Sequence, residues 1–277
     1  MALAPERVAQ FQEQGWLDLG PIFSAAEVER FREAYDGCLA ALENSAAAAA
    51  AAGADTAADA DAAAAGSDAS PAAPALPDLS RPPRPGQRVH QIRAAHLQHA
   101  LFAELIRDPR ITDAVASLVS DDLKIILCQG LYKPPLIGGE LDWHQDDAYF
   151  ETESASHKVA PLVSCWVTFD DATVNSSCMW VLPGSHSNGV LQHTQTTGLS
   201  LLDLDDSQAR PVELKAGSAM LHHGAMPHRT LPNTSPFPRR AVAIHFVPAD
   251  ATSRSDFRNR EPEENTPVVR RGCAARL

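Results

Sequence analysis

Within ELDWHQDDAYF, His144 and Asp146 stand one residue apart. On an extended segment that spacing sends both side chains to the same face, where an imidazole and a carboxylate can meet one cation. The pair alone is a common chance match and needs a third ligand from a distant strand. Candidates lie in MLHHGAMPHRTLPNTSPFPRRAVAIHF, which carries His222, His223, His228 and His245. Two histidines and one carboxylate on one face of an octahedral divalent iron leave three positions open, the arrangement used by non-haem oxygenases. A 2-oxo acid co-substrate would chelate such a metal through its carboxylate and keto oxygens, and its far carboxylate would need a buried cation. Arg239 can supply it, because a guanidinium fork matches a carboxylate in bidentate fashion. Along residues 239–247, Arg239 shares parity with the small or polar Ala241, Ala243 and His245, while Val242, Ile244 and Phe246 share the other. The arginine side therefore reads as a cavity face.

These residues must be held by folded elements, and the hydrophobic period changes once along the chain. SAAEVERFREAYDGCLAAL places Ser24 as a cap before Val28, Phe31, Tyr35, Leu39 and Leu42 at helical spacing. HALFAELIRDPRITDAVASLVSDD reads as two helices separated at Asp108-Pro109. Thereafter LKIILCQGLY (123–132), PLVSCWVTF (161–169), CMWVLPGSH (178–186), PVELKAGSAMLHHG (211–224) and RRAVAIHFV (239–247) are short, rich in β-branched or aromatic residues, and bounded by turn formers. Helices followed by a run of strands predict an α+β protein whose second half is an antiparallel sandwich or barrel.

Composition narrows the class further. The 277 residues carry 23 Lys+Arg against 35 Asp+Glu, a formal charge of −12, which argues against nucleic-acid or anionic-membrane binding driven by bulk charge. Five of those net charges come from Asp55, Asp59, Asp61, Asp68 and Asp78 in the Ala/Asp/Pro-rich stretch from Ser45 to Ser80, which has no Lys or Arg. With RPPRPGQ closing it, the insert at 45–87 reads as a mobile surface loop within a single domain over 1–277, its Ala run prolonging the preceding helix by a turn or two. The five cysteines form no CxxC pair and read mostly as buried small hydrophobes. No apolar stretch is long enough to span a membrane or to form a signal-peptide core, so a cytoplasmic location is expected.

HQD at 144–146, DDATVNSSCMWVLPGSH at 170–186, and PHRTLPNTS followed by RRAVAIHF are similar to the phytanoyl-CoA dioxygenase family of iron(II)/2-oxoglutarate-dependent oxygenases. FQEQGWLDLGPIFSAAEVERFR and VHQIRAAHLQHALFAELIRDPRITDAV resemble that family's N-terminal helix and strand and its central helical portion. The resemblance implies a double-stranded β-helix, the cupin-like jelly-roll barrel, flanked by N-terminal helices. It implies His144, Asp146 and His228 as iron ligands, since the family's distal histidine precedes an Asn by five positions and the anchoring Arg by eleven, as Asn233 and Arg239 do. His222 and His223 then read as strand or rim residues. Arg239 becomes the anchor of the far carboxylate of 2-oxoglutarate, with Thr230 adding a hydroxyl, and Gln129 and Trp166 lining the co-substrate pocket. Lys133 approaches the co-substrate or substrate, and Arg240 faces away. His157, His186 and His193 are expected in surface or structural roles. The chain departs from the family at Asn175-Ser176-Ser177, where a Glu-Asn-Gly turn usually stands and exploits the glycine.

The activity implied is oxidation of a small organic substrate, a lipid-like acid or secondary metabolite, at an unactivated carbon. It requires Fe(II), 2-oxoglutarate and O2, with succinate and CO2 as co-products. A carboxylate at 146 favours hydroxylation, or a related desaturation or cyclisation, over halogenation, because halogenating relatives carry a small residue there. The alternative is a non-catalytic barrel used as a ligand-binding or interaction module. A small-molecule substrate, no nucleic acid, and a monomer or homodimer complete the expectation.

Overall fold

The Ser24 hydroxyl and the Glu27 carboxylate close a reciprocal capping box, with Glu27 N to Ser24 Oγ at 3.3 Å and Ser24 N to Glu27 Oε2 at 2.8 Å. From that cap the helix Ala25–Ala51 runs through the start of the alanine tract, as Ala propensity predicts. It buries Val28, Phe31, Tyr35 and Cys38, with Leu39 and Leu42 packed at the margin. The computed structural model describes residues 2–51, 90–136, 139–194, 200–201, 204–253 and 265–272. Most of the insert expected at 45–87 lies outside the described residues. Asp108 caps the helix Pro109–Ala116, its Oδ1 accepting from Arg110 N at 2.8 Å, and separates it from Ala100–Leu105. Among the described residues no helix is long and apolar enough to cross a membrane.

Two antiparallel sheets, of seven and four strands, dominate the strand-rich half, with two two-stranded pairs beside them among the described residues. The larger runs in the order Trp16–Pro21, Ser218–His223, Val163–Thr168, Arg239–Pro248, Leu123–Lys133, Val268–Arg270, with His90–Arg93 also paired to Leu123–Lys133. The smaller runs Arg210–Val212, Met179–Val181, His228–Thr230, Leu141–His144. Val242, Ile244 and Phe246 pack with the helices on one face of the large sheet. Ala241, Ala243 and Trp166 pack on the other face with Met179, Val181 and Val212 of the small sheet. The parity read from residues 239–247 is thus the parity of the fold, and burial on both faces explains why this central strand is nearly unbroken in apolar residues.

The segment 211–224 is two strands rather than one. Arg210–Val212 belongs to the small sheet and Ser218–His223 to the large one. The chain crosses between sheets at Gly217, whose φ of +84° and close approach to the Phe23 carbonyl, 2.7 Å from where a Cβ would sit, require glycine. Ser177 takes the family's glycine position with φ +70°. Its hydroxyl donates to the Leu231 carbonyl and tethers the turn to the segment that follows the distal histidine.

Candidate metal centre

His144 is the last residue of Leu141–His144 and pairs in register with His228 on the neighbouring strand, their rings 4.1 Å apart. Asp146 is not on an extended segment: its backbone is right-handed helical (φ −63°, ψ −39°) and opens the turn Asp147–Phe150. A strand-to-helix turn, rather than the two-residue pleat, brings its carboxylate to the imidazoles. One ligand atom from each of His144, Asp146 and His228 lies within 4.8 Å of the others, and all three residues are buried. This is the one group of three or more potential ligands among the described residues.

The tautomers follow from the hydrogen bonds. His144 Nδ1 lies 2.7 Å from the Asp142 carbonyl and His228 Nδ1 lies 2.9 Å from the Met226 carbonyl. A carbonyl only accepts, so each Nδ1 carries the proton and each Nε2 keeps a lone pair for a metal. Burial, reinforced by the neighbouring imidazole, pushes His144 down to about 3 and His228 to about 4, so both are neutral at pH 7. Burial opposes the charge of Asp146. The surrounding imidazoles, His245 and His228 foremost, outweigh it and hold the carboxyl well below its ordinary range.

Three further side chains surround that carboxylate. Ser164 Oγ donates to Asp146 Oδ2, His245 Nε2 lies 3.3 Å from the same oxygen, and His222 Nε2 lies 3.8 Å from it, its Nδ1 facing the His223 carbonyl. Ser164 and His245 therefore hold Oδ2, while Oδ1 faces His228 Nε2 at 3.8 Å. His222 is a strand residue rather than a rim one. It lies on Ser218–His223, 2% exposed, its ring tilted by 49° and centred 4.4 Å from the His228 ring. His223 points the other way, accepting from Ala225 N and packing against His186. Gln145, which sequence reasoning passed over, is fully buried. Its amide donates to the Gly189 and Ala225 carbonyls and accepts from Leu191 N, tying the ligand turn to two loops. His193 accepts from Gln145 N, and His157 sits exposed on Ser154.

The other end of the same cavity face holds Arg239, 1% exposed, with only Ala241 and Ala243 between it and His245 on that side of the strand. The guanidinium donates to the Leu131 carbonyl at 3.0 Å and lies 5.3 Å over the Trp166 ring. Among the described residues no carboxylate pairs with it, and Arg239 Nε and Trp166 Nε1 are buried without hydrogen-bond partners. Two unsatisfied buried donors, one of them on the cation itself, fit the carboxylate end of a dicarboxylic acid. Lys133, opposite Arg239 in register, donates to Thr230 Oγ1 at 2.6 Å and the Leu231 carbonyl at 2.9 Å. Gln129 is half-buried opposite Ala243, on the same face. Arg240 faces away and pairs with Asp36 and Asp170. Asn233 donates to the Lys133, Pro134 and Phe237 carbonyls, fixing the turn between Thr230 and Arg239.

The family model for phytanoyl-CoA dioxygenase matches residues 11–241, which include every residue of both constellations except His245. The chain belongs to the phytanoyl-CoA dioxygenase family. A zebrafish member, phytanoyl-CoA dioxygenase domain-containing protein 1 of Danio rerio, is 28% identical over 169 residues, 57% of each chain. The match thus spans little more than half the length of that curated relative. Among solved structures, the non-heme alpha ketoglutarate dependent carbocyclase SnoK from nogalamycin biosynthesis superposes with a TM-score of 0.67 at 22% identity, covering 96% of both chains. The epimerase SnoN, solved with Fe3+, alpha ketoglutarate and nogalamycin RO, gives 0.65 at 19% identity over 96% of this chain and 93% of its own. These likenesses establish the family's jelly-roll fold for the two sheets.

Proposed function

We propose that the protein is an Fe(II)/2-oxoglutarate-dependent dioxygenase that hydroxylates an unactivated carbon of a small organic substrate, a lipid-like acid or a secondary metabolite. One observation carries the reading. A buried guanidinium without a carboxylate partner among the described residues shares a cavity face with a buried His-Asp-His set whose imidazole Nε2 atoms are free to bind metal.

His144, Asp146 and His228 would hold the iron through two imidazole nitrogens and one carboxylate oxygen. Bound there, iron supplies the oxygen chemistry, coupling decarboxylation of 2-oxoglutarate to succinate and CO2 with oxidation of the substrate. Arg239, with the Thr230 hydroxyl and Trp166 Nε1, binds the far carboxylate and so fixes the reach of the co-substrate toward the metal. Ala241 and Ala243 keep the intervening face low enough for the co-substrate chain to lie along it. Gln129 borders that path. Ser164 and His245 hold Asp146 Oδ2, so that Oδ1 alone is presented to the metal. The apolar walls of Met179, Val181, Val212 and Met220 exclude water from this end of the barrel.

The test is succinate formation by the full chain, loaded anaerobically with Fe(II), given 2-oxoglutarate and exposed to O2, beside His144→Ala and Arg239→Ala. Slow turnover in wild type and none in either variant supports the proposal. A chain that binds neither iron nor 2-oxoglutarate and forms no succinate is instead a binding or interaction module.

A further inference from the structure

Arg229 follows His228 on its strand and points the other way, to the outer face of the four-stranded sheet. There its guanidinium lies 4.7 Å from the Trp143 ring and 5.8 Å from the Trp180 ring. One oxygen of Asp206, in the segment leading into Arg210–Val212, closes the group. Asp206 Oδ2 accepts from Trp143 Nε1 at 3.1 Å and lies 3.2 Å from Arg229 Nη1. Trp143, 6% exposed, directly precedes His144. A single carboxylate thus joins the neighbours of both imidazoles of the metal centre, from the side of the sheet that the centre does not use.

The ladder between the two imidazole-bearing strands is irregular at this point. His228 pairs with His144 and Thr230 with Leu141, so Arg229 alone stands against two residues, Asp142 and Trp143. That is a β-bulge, which re-aims side chains at the cost of local pairing. Here it turns the Asp142 carbonyl to His144 Nδ1, 2.7 Å away, and so keeps the proton off Nε2. The Trp143 amide is taken up inside the bulge, donating to Asp142 Oδ1 at 2.8 Å. What pins Trp143 from outside is its side chain, stacked on Arg229 and bonded to Asp206.

We propose that Asp206 is a positioning residue of the metal centre. By holding Trp143 and Arg229 together behind the sheet it fixes the bulge, and the bulge fixes the tautomer and aim of His144. The inference rests on the reading of His144, Asp146 and His228 as metal ligands. The lock itself adds little to folding, because the Arg229 side chain is 26% exposed and that of Asp206 43%, and ion pairs in such a setting are weak. Its loss should therefore show at the metal rather than in the fold. Partners of ligating residues tune metal affinity roughly 10- to 100-fold, and Asp206 acts one contact further out, so the low end of that range is expected.

The experiment is titration of Co(II) into the full chain with the visible d–d bands recorded, beside nitrogen-15 imidazole spectra of the metal-free chain. The His144 signal is assigned by its absence in His144→Ala. Asp206→Ala should bind Co(II) about 10-fold more weakly, with shifted bands and a melting temperature close to wild type. Its His144 should change from the Nδ1-protonated form to a mixture of tautomers. Asp206→Asn, which keeps an acceptor for the indole without the charge, should fall between. Asp206→Ala with wild-type affinity, bands and tautomer overturns the proposal. Weaker binding with the His144 tautomer unchanged overturns it too, because the effect then bypasses the bulge. Trp143→Phe keeps a ring over Arg229 and removes only the indole donor; should the Asp206 variants not fold, an unchanged His144 signal in this variant is the refuting result. Wild type that binds no Co(II) removes the metal-site reading, while the tautomer of His144 still tests its link to Asp206.

Discussion

Arg239→Met separates a guanidinium kept for a ligand from one kept for the fold. A buried cation without an acidic partner costs about 4 kcal/mol of desolvation after relaxation. Against this, the charged bond to the Leu131 carbonyl returns about 2 kcal/mol and the contact with the Trp166 face about 1 kcal/mol. The ligand-free protein is therefore about 1 kcal/mol worse off with arginine than with an apolar side chain of similar length. Arg239→Met should raise the melting temperature of the ligand-free chain by about 2–4 °C at this size. The same substitution removes the charge pairing of the far carboxylate, worth about 3–4 kcal/mol, so the Kd for 2-oxoglutarate in the Zn(II)-loaded protein should rise roughly 100- to 1,000-fold. Thermal unfolding without ligand and calorimetric binding with it read the two effects independently. A variant that melts several degrees lower yet binds 2-oxoglutarate within about threefold of wild type would show that Arg239 is a structural clamp on Leu131 and would refute the anchor.

Substitutions at four other residues probe the remaining links. Ser164→Ala removes a donor from Asp146 Oδ2 and should weaken Co(II) or Zn(II) binding by roughly 10–100-fold with little change in melting temperature; unaltered affinity means the carboxylate is held without it. Gln145→Met leaves two carbonyls and one amide without partners and should lose about 3 kcal/mol in urea unfolding, with metal affinity falling too, whereas loss of stability alone would separate the turn from the ligands. At residue 177 both replacements lose the bond to Leu231, but only glycine relieves the left-handed backbone, so Ser177→Ala should be less stable than Ser177→Gly by about 1 kcal/mol; the reverse order would mean the turn is not strained. For Lys133, the folded amine at about 6 lies below its unfolded 10.5, so between those values the unfolded chain binds more protons and wild-type stability rises with pH. Lys133→Met should accordingly stabilise the ligand-free chain at pH 7 and progressively less toward pH 10, a trend that urea unfolding at the two ends of the range would contradict if the gain were constant.

Chemistry carried by residue type and short spacing is legible in the chain itself. The His-x-Asp pair and the parity of residues 239–247 depend on local sequence, whereas the choice of His228 among four histidines is implied by the family resemblance and not by the chain's own spacing. Alternation along one strand decides which side chains share a face, whatever lies opposite. The amphipathic helix after Ser24, the break at Asp108-Pro109 and the change from helical to strand periodicity are readable for the same reason: capping and periodicity act within a few residues.

What lies opposite is decided only by the tertiary structure. No spacing in the chain indicates that His222 and His245 converge with Ser164 on one oxygen of Asp146, because three separate strands of the large sheet deliver them. The division of residues 211–224 between two sheets depends on Gly217 meeting the Phe23 carbonyl from a distant turn. The backbone at Asp146 is helical because Tyr149 N and Ala148 N bond back to the Asp146 and Gln145 carbonyls, a preference that an isolated HQDD does not declare. Lys133 reads as an ordinary lysine before two prolines. Its burial opposite Arg239 follows from the register of two strands more than 100 residues apart, and register is set by which faces the whole sheet must bury.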